Sequence, residues 1–393
     1  MRKTIVFLDQ QSWLGGAQRV LEATLDSVAE HYDCIAAFPD SGPFRSALAA
    51  RAVETIDIPI GTYKSGRKSP LEMVVFALRS IYCGVKLART IRRRRIALVY
   101  VNGPRCLPAG VLAAWLTRRP AIFHLHVILS RRSEILMVRS LAWRLSRILA
   151  CSNAAAESLV GMVGRHRWLS AKTQVLYNPL RQRRESRLTW HRERPTRPRR
   201  ACVTIGAVGR ITPVKGLHLL LQAVADLPAD MRRKVQILIV GAEAPGCDTD
   251  LRYRRNLQSE AKRQGLEGQI LWAGYQNDPR PSYARMDVLV HSALSEAMCL
   301  VILEALDRGV PVIAARTGGI PEVVRDGFNG MLVTPNDAAA LARALELFIS
   351  RRRLREQLQA GARCSLDRRF SIETFSSRIR TFIGQLCPLT ERN

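Results

Sequence analysis

The sequence predicts an α/β protein of two doubly wound, Rossmann-like domains, each a parallel sheet covered by helices on both faces. Short apolar, β-branched runs alternate with longer helical stretches along most of the chain, which is the grammar of parallel sheets. Thirteen such runs are too many for one open sheet. An arginine- and proline-rich stretch breaks the alternation near the middle. The chain has 393 residues, 47% hydrophobic and 24% charged, enough for two or three domains that bury their own cores. Its 25 glycines and 19 prolines are far below a disordered or collagen-like level. A disulfide scaffold, a disordered tail protein and a single small binding module are excluded.

In order, the first half places strands at 4–8, 34–38, 55–58, 97–101, 121–124, 148–151 and 174–177. The second half places them at 202–208, 235–240, 269–273, 287–291, 310–315 and 330–333. Between the halves, residues 181–200 hold nine arginines, two prolines and no apolar periodicity, which reads as an exposed linker. The expected domains are therefore 1–180 and 201–370, with a helix over 372–386 inside a C-terminal segment 371–393. Ligands of such sheets sit beyond the carboxyl ends of the strands, so both domains would address a central cleft.

Nine cysteines without a C-x-x-C pair fit reduced thiols in a cytosol rather than a disulfide framework or a zinc cage. The apolar run Ile5, Val6, Phe7, Leu8 is too short for a signal peptide and reads as a first strand. No run of 18 apolar residues could span a bilayer, and the longest candidate, 70–85, is interrupted by Glu72 and Arg79. A soluble or peripheral, cytoplasmic protein is expected.

Charge is uneven. Of 61 Lys and Arg against 33 Asp and Glu, residues 1–200 carry 35 basic and 13 acidic side chains. That half is expected to face something anionic. Residues 69–95 and 131–147 read as basic amphipathic segments, apolar at Leu71, Val74, Leu78 and Ile81 in the first, and at Leu136 and Trp143 in the second. Such helices lie on anionic membranes or turn their apolar residues into the domain core. With 6% aromatics and no recognition module, no nucleic-acid partner is expected.

Four segments carry chemistry. Gly15 and Gly16 fall between the first strand and a helix, where backbone amides can approach a phosphate or simply form a tight turn. The second domain opens similarly with Gly206, Gly209, Arg210, Lys215 and Gly216, whose two cations could hold a diphosphate and neutralise charge as it leaves. Glu296 and Glu304 lie eight residues apart, Glu304 inside an apolar run. On one helix their α-carbons would be about 12 Å apart. That exceeds the separation of paired glycosidase carboxylates and suits a grip on two ends of a long ligand such as a sugar nucleotide. Downstream follows a Gly-rich segment with Gly309, Gly318, Gly319, Pro321, Glu322 and Gly330.

Together GGAQRVLEATL from residue 15, GRITPVKG from 209, SEAMCLVILEAL from 295 and GGIPEVVRDGFNG from 318 resemble glycosyltransferase family 4, retaining sugar-nucleotide enzymes of the GT-B fold. The resemblance covers nearly the whole chain. It implies that Arg210 and Lys215, near Gly209, bind the donor diphosphate. Glu304 would bond the ribose and Glu296 would lie near the transferred sugar, with Leu300 and Val301 completing that wall. Gly15 and Gly16 would shape the phosphate and acceptor side, and the loop at Gly274 and Tyr275 would meet the base. His126 matches the family's active-site histidine, with His124 as the alternative, although Val127 stands where an acid usually follows. The C-terminal helix would pack back on the first domain. Ala297 and Cys299 replace glycines common after the first glutamate, which puts donor specificity outside the resemblance.

Asp248 and Asp250 have the D-x-D form of metal-dependent transferases of another fold, but they sit in what reads as a polar loop after Val240, and no metal or cofactor is expected. The function implied is metal-independent transfer of a sugar, with retention, from a UDP- or GDP-sugar to a saccharide or lipid-linked acceptor, in cell-envelope or exopolysaccharide assembly, at the inner face of the membrane. A binding protein of the same shape, or an epimerase or phosphorylase, is the alternative.

Overall fold

The computed structural model describes residues 2–61, 69–161, 167–180 and 202–389. The expected linker, 181–200, lies outside the described residues. The chain forms two units, Met1–Pro179 with Arg369–Asn393, and Leu180–Arg368.

The first unit holds β1 (Lys3–Asp9), β2 (Tyr32–Phe38), β3 (Glu54–Asp57), β4 (Leu98–Asn102), β5 (Ala121–Leu125), β6 (Arg147–Ala150) and β7 (Thr173–Val175). All pair in parallel, in the order β3-β2-β1-β4-β5-β6-β7. The second holds β8 (Val203–Val208), β9 (Val235–Val240), β10 (Ile270–Trp272), β11 (Val288–His291), β12 (Val312–Ala315) and β13 (Gly330–Val333). They too are parallel, in the order β10-β9-β8-β11-β12-β13. All thirteen expected strands are present, their ends shifted by at most two residues. The inner strands are buried, as at Ile5 to Leu8 and Val288 to Val290, as parallel strands covered on both faces must be.

Both sheets reverse their order beside the first strand, between β1 and β4 and between β8 and β11. At that point the neighbouring loops leave in opposite directions and open a crevice, the usual ligand position in such sheets. Asp9 faces Asn102 in register where β1 and β4 end.

The helix Ile372–Leu386 belongs to the first unit and buries Phe375, Ile379 and Ile383. Ser376 Oγ lies 2.8 Å from Ser27 Oγ on the helix Gly16–Val28, and Tyr32 Oη donates to the Cys387 carbonyl at 2.8 Å.

Three local expectations change. Asp248 and Asp250 are not in a loop but open the helix Asp248–Arg263. Residues two apart on a helix point to different sides, so Asp248 is exposed while Asp250 is buried and accepts from the Ala244 amide at 3.3 Å. The segment around Glu296 is not one helix, since Leu300–Asp307 begins after Cys299 and only Glu304 is helical. The helix Pro70–Arg93 turns only its second half inward and leaves the apolar residues of its first three turns outside. It buries Ser80, Cys83, Gly84, Leu87, Ala88 and Ile91 and leaves Leu71, Val74, Leu78 and Ile81 exposed.

Candidate functional site

In the second unit the site residues gather where the sheet order reverses. β8 ends at Val208, and Gly209 and Arg210 follow in the loop. The short turn Pro213–Lys215 then stops at Gly216, whose φ of +64° sets up the helix Leu217–Ala225. A Cβ at Gly216 would stand 2.2 Å from the Ser292 carbonyl oxygen, so only glycine lets this turn lie against the loop after β11. Two hydrogen bonds hold the loops together: Ser292 Oγ donates to the Gly216 carbonyl at 2.8 Å, and the Leu294 amide to Val214 at 2.8 Å.

This clamp brings Lys215 Nζ onto Glu296 Oε2 as a hydrogen-bonded ion pair, 81 residues apart in sequence. Glu296 also accepts from His291 Nε2 at 3.2 Å. Burial by itself would raise the Glu296 carboxyl, but the Lys215 charge and the bonds from His291 and Lys215 hold it down at about 2. Burial, the largest influence, would likewise lower Lys215, but the charge and hydrogen bond of Glu296, with a smaller effect of Cys299, together raise the ammonium. His291 is lowered by burial and stays neutral, so its Nε2 carries the proton that Glu296 accepts. At neutral pH the cluster is therefore an ammonium–carboxylate pair steadied by a neutral imidazole.

The Glu296 backbone is fixed as firmly. Gly319 donates its amide to the Glu296 carbonyl at 3.0 Å, and Gly318 has φ +51°. A Cβ at Gly318 would stand 1.9 Å from that carbonyl oxygen. The paired glycines of the downstream segment thus hold the glutamate loop in place. Arg210 is exposed, with Nε 3.8 Å from the buried Asp250 carboxylate. Glu304, one turn into its helix, accepts from Tyr283 Oη at 2.7 Å, the partner a half-buried carboxylate needs. Leu300 and Val301 form the first turn of that helix, and Tyr275 is exposed in the loop after β10.

Cys299 is the N-terminal cap of this helix. Its buried Sγ lies 3.4 Å from His291 Nε2. Burial first, then the Glu296 charge, pushes the thiol far up. His291, Glu296 and Cys299 place three potential metal ligands within 4.8 Å of one another. The ammonium of Lys215 already serves the carboxylate, and the thiol is held protonated, so the trio is organised around a lysine.

In the first unit a second polar cluster lies where β1 and β4 end. Asp9 is fully buried and accepts from the Gln11 amide at 3.0 Å, Gln18 Nε2 at 2.9 Å and Asn102 Nδ2 at 2.6 Å. Burial raises its carboxyl to about 6, against the lowering effect of those bonds. Asn102 Oδ1 lies 2.8 Å from His126 Nε2. Gly15 caps the helix Gly16–Val28, which carries Gln18. His126 is partly exposed beyond β5, and burial lowers its imidazole to about 3, so it is neutral. With Nε2 donating to Asn102, its Nδ1 keeps a bare lone pair and has no protein partner among the described residues. His124 lies within the core, its Nδ1 2.6 Å from Tyr100 Oη, which makes it structural.

The structure thus joins Lys215 to Glu296 directly, sets Arg210 and Glu304 on flanking elements, and ties Gly15, Gly16 and His126 to one network in the other unit. Asp9, Gln18, Asn102 and His291 were missed. The signal available was the same each time: a polar residue closing or just following an apolar strand or glycine turn.

The sequence matches two family profiles, Glycosyltransferase Family 4 over residues 14–184 and Glycosyl transferases group 1 over residues 197–364. The two take in every strand except β1 and the glycine, lysine and glutamate motifs from Gly15 onward. The chain belongs to the group 1, family 4 glycosyltransferases of the GT-B fold. Among relatives of this GT-B family, it is 35% identical over 170 residues to the lipopolysaccharide core biosynthesis glycosyltransferase LpsE of Rhizobium meliloti, 43% of this chain and 46% of LpsE. It is 38% identical over 161 residues to a D-inositol 3-phosphate glycosyltransferase of Geodermatophilus obscurus, 40% of this chain and 34% of that one. The chain therefore spans less than half the length of these curated relatives. Among solved GT-B structures, Anabaena HepE in complex with UDP and glucose superposes with a TM-score of 0.78 at 25% identity, over 98% of this chain and 100% of HepE.

Proposed function

We propose that the protein transfers a sugar, with retention at the anomeric carbon, from a UDP-sugar to a saccharide or lipid-linked acceptor in assembly of a cell-surface polysaccharide. The observation that carries this reading is the Lys215–Glu296 pair at the order reversal of the second sheet, flanked by Arg210 and Glu304. Arg210 and Lys215 supply the positive charge that a leaving nucleoside diphosphate requires, already fixed in place before the reaction. Glu304, one turn into the helix Leu300–Asp307, suits the ribose hydroxyls. Glu296, ionised and accepting only, suits a hydroxyl of the transferred sugar.

UDP is favoured over GDP because HepE was solved with UDP and with UDP-glucose. The acceptor falls to the first unit, where the partly exposed, neutral His126 stands beside the Asp9–Asn102 network. Two organic cations at the diphosphate replace what a divalent ion would contribute, so the reading includes turnover in chelator. LpsE's role in lipopolysaccharide core biosynthesis supports an acceptor at the cytoplasmic face of a membrane. No helix among the described residues is long and apolar enough to cross one, which fits a peripheral position.

The test is thermal denaturation with UDP, GDP, ADP and their sugar conjugates, in EDTA. A ligand at a hundredfold excess over its dissociation constant stabilises by about 2.7 kcal/mol. Stabilisation by uridine compounds alone supports the reading, and stabilisation by none sinks it. The anomeric configuration of the product, read by NMR, decides retention.

A further inference from the structure

From Ser80 onward the helix Pro70–Arg93 has an inward face, of Ser80, Cys83, Gly84, Leu87, Ala88 and Ile91, and an opposed outward one. Its inner side mixes small residues with Leu87 and Ile91, and Gly84 comes so near the helix Leu107–Thr117 that a Cβ would stand 2.8 Å from Leu112 Cδ2. Close approach explains the inner side. The outer side has no such explanation. Positions three and four apart share a helix face, and the outer stripe runs Leu71, Val74, Leu78, Ile81 and Tyr82, continuing as Lys86, Arg89 and Arg93. Leu71 is 72% exposed, Leu78 61% and Tyr82 60%. One stripe is thus apolar over its first three turns and cationic over its last three.

Beside the cationic half lies a cleft of about 430 Å³ against β3. Lys86, Thr90, Arg93 and Arg94 line its helix side and Asp57 its strand side. Asp57 is paired with Arg45 and Arg94 with Glu54, leaving the lining net positive.

We infer that this helix docks the protein on an anionic bilayer, its apolar half lying in the interface and its basic half, with the cleft, holding lipid phosphates. An interfacial helix buries its apolar side by several ångströms at the headgroup boundary and gains from each nearby cation. A second copy fits the stripe poorly. Two-fold pairing along its full length sets apolar turns against cations if antiparallel, and cations against cations if parallel. A surface that is both apolar and anionic satisfies both halves. The inference rests on the membrane-side position proposed above and adds the element that makes the contact.

The test is co-sedimentation of the full chain with phosphatidylcholine vesicles, with and without phosphatidylglycerol. Wild type should partition onto the anionic vesicles and be released by salt. Each neutralised cation should weaken partitioning about fivefold, so R89Q/R93Q should lose about 25-fold. L78S/I81S, at exposed positions that leave the fold intact, should also release the protein, without removing a charge. Unchanged partitioning of either variant overturns the inference, as does equal binding to uncharged vesicles. A solution dimer dissolved by L78S/I81S would assign the stripe to a second copy instead. Stabilisation by uridine nucleotides, measured on the same variants, should equal wild type, so failure of docking and failure of the transferase reading are separate outcomes.

Discussion

Replacing Lys215 with alanine tests the organisation of the second-unit site. Glu296 is held at about 2 against an ordinary value of 4.5, a shift worth about 3 kcal/mol of folded-state stability. Because the folded value is depressed, that stability is fully present above pH 4.5 and drains away as pH falls toward 2. Removing the ammonium leaves a buried carboxylate with only His291 beside it, and burial, the largest influence on Glu296, then raises it above 4.5. The sign of the linkage reverses, and the variant gains stability relative to wild type as pH falls through the new value. At pH 7 the loss of about 3 kcal/mol corresponds to a drop of about 6–12 °C in the melting temperature of a unit this size. Turnover, read well below that temperature, should fall by about 10²–10³, the usual cost of one fixed donor to a developing anion. The assay pairs urea denaturation from pH 3 to 8 with transfer from a UDP-sugar. A variant with wild-type pH dependence would refute the pairing, and wild-type turnover would refute the role of the cation.

Gly318→Ala should destabilise by about 2 kcal/mol or more through its left-handed backbone and the approach to the Glu296 carbonyl, and should weaken nucleotide binding, measured by calorimetry. Asp9 titrates at about 6 in the fold, above its ordinary 3.8, so it favours the folded state below 3.8 and withdraws that support as pH rises through 6; Asp9→Asn should flatten this part of the pH–stability curve, followed by urea denaturation. Cys299 should resist iodoacetamide at neutral pH in the native protein while the exposed Cys364 reacts, with mass spectrometry locating the label, because only the thiolate is nucleophilic.

The sheets were legible because parallel strands covered on both faces are written as apolar runs, as in β1, β4 and β11, while the half-exposed edge strands β3 and β7 carry polar residues and declare themselves by their place in the alternation. Lys215, Glu296 and Glu304 were legible as charges set among glycines and apolar residues. What joins them was not. His291 reads as the end of a strand until folding places it on Glu296, and Asp9 meets Asn102 across 93 residues. The outward side of helix Pro70–Arg93 was ambiguous for a different reason. Periodicity reports that a helix has an apolar stripe, and here Leu87 and Ile91 with smaller residues took the core while the stripe from Leu71 to Ile81 faces out.

The return of helix Ile372–Leu386 to the first unit bears on how the protein is made. The first 179 residues leave the ribosome without the helix that covers Gly16–Val28, so their apolar side stays open while the whole second unit is synthesised. The second unit is continuous in sequence and can close as soon as its own chain has emerged. The order of completion is therefore the reverse of the order of synthesis, and nascent chains stalled before residue 372 should carry a finished second unit beside a first one that chaperones still recognise.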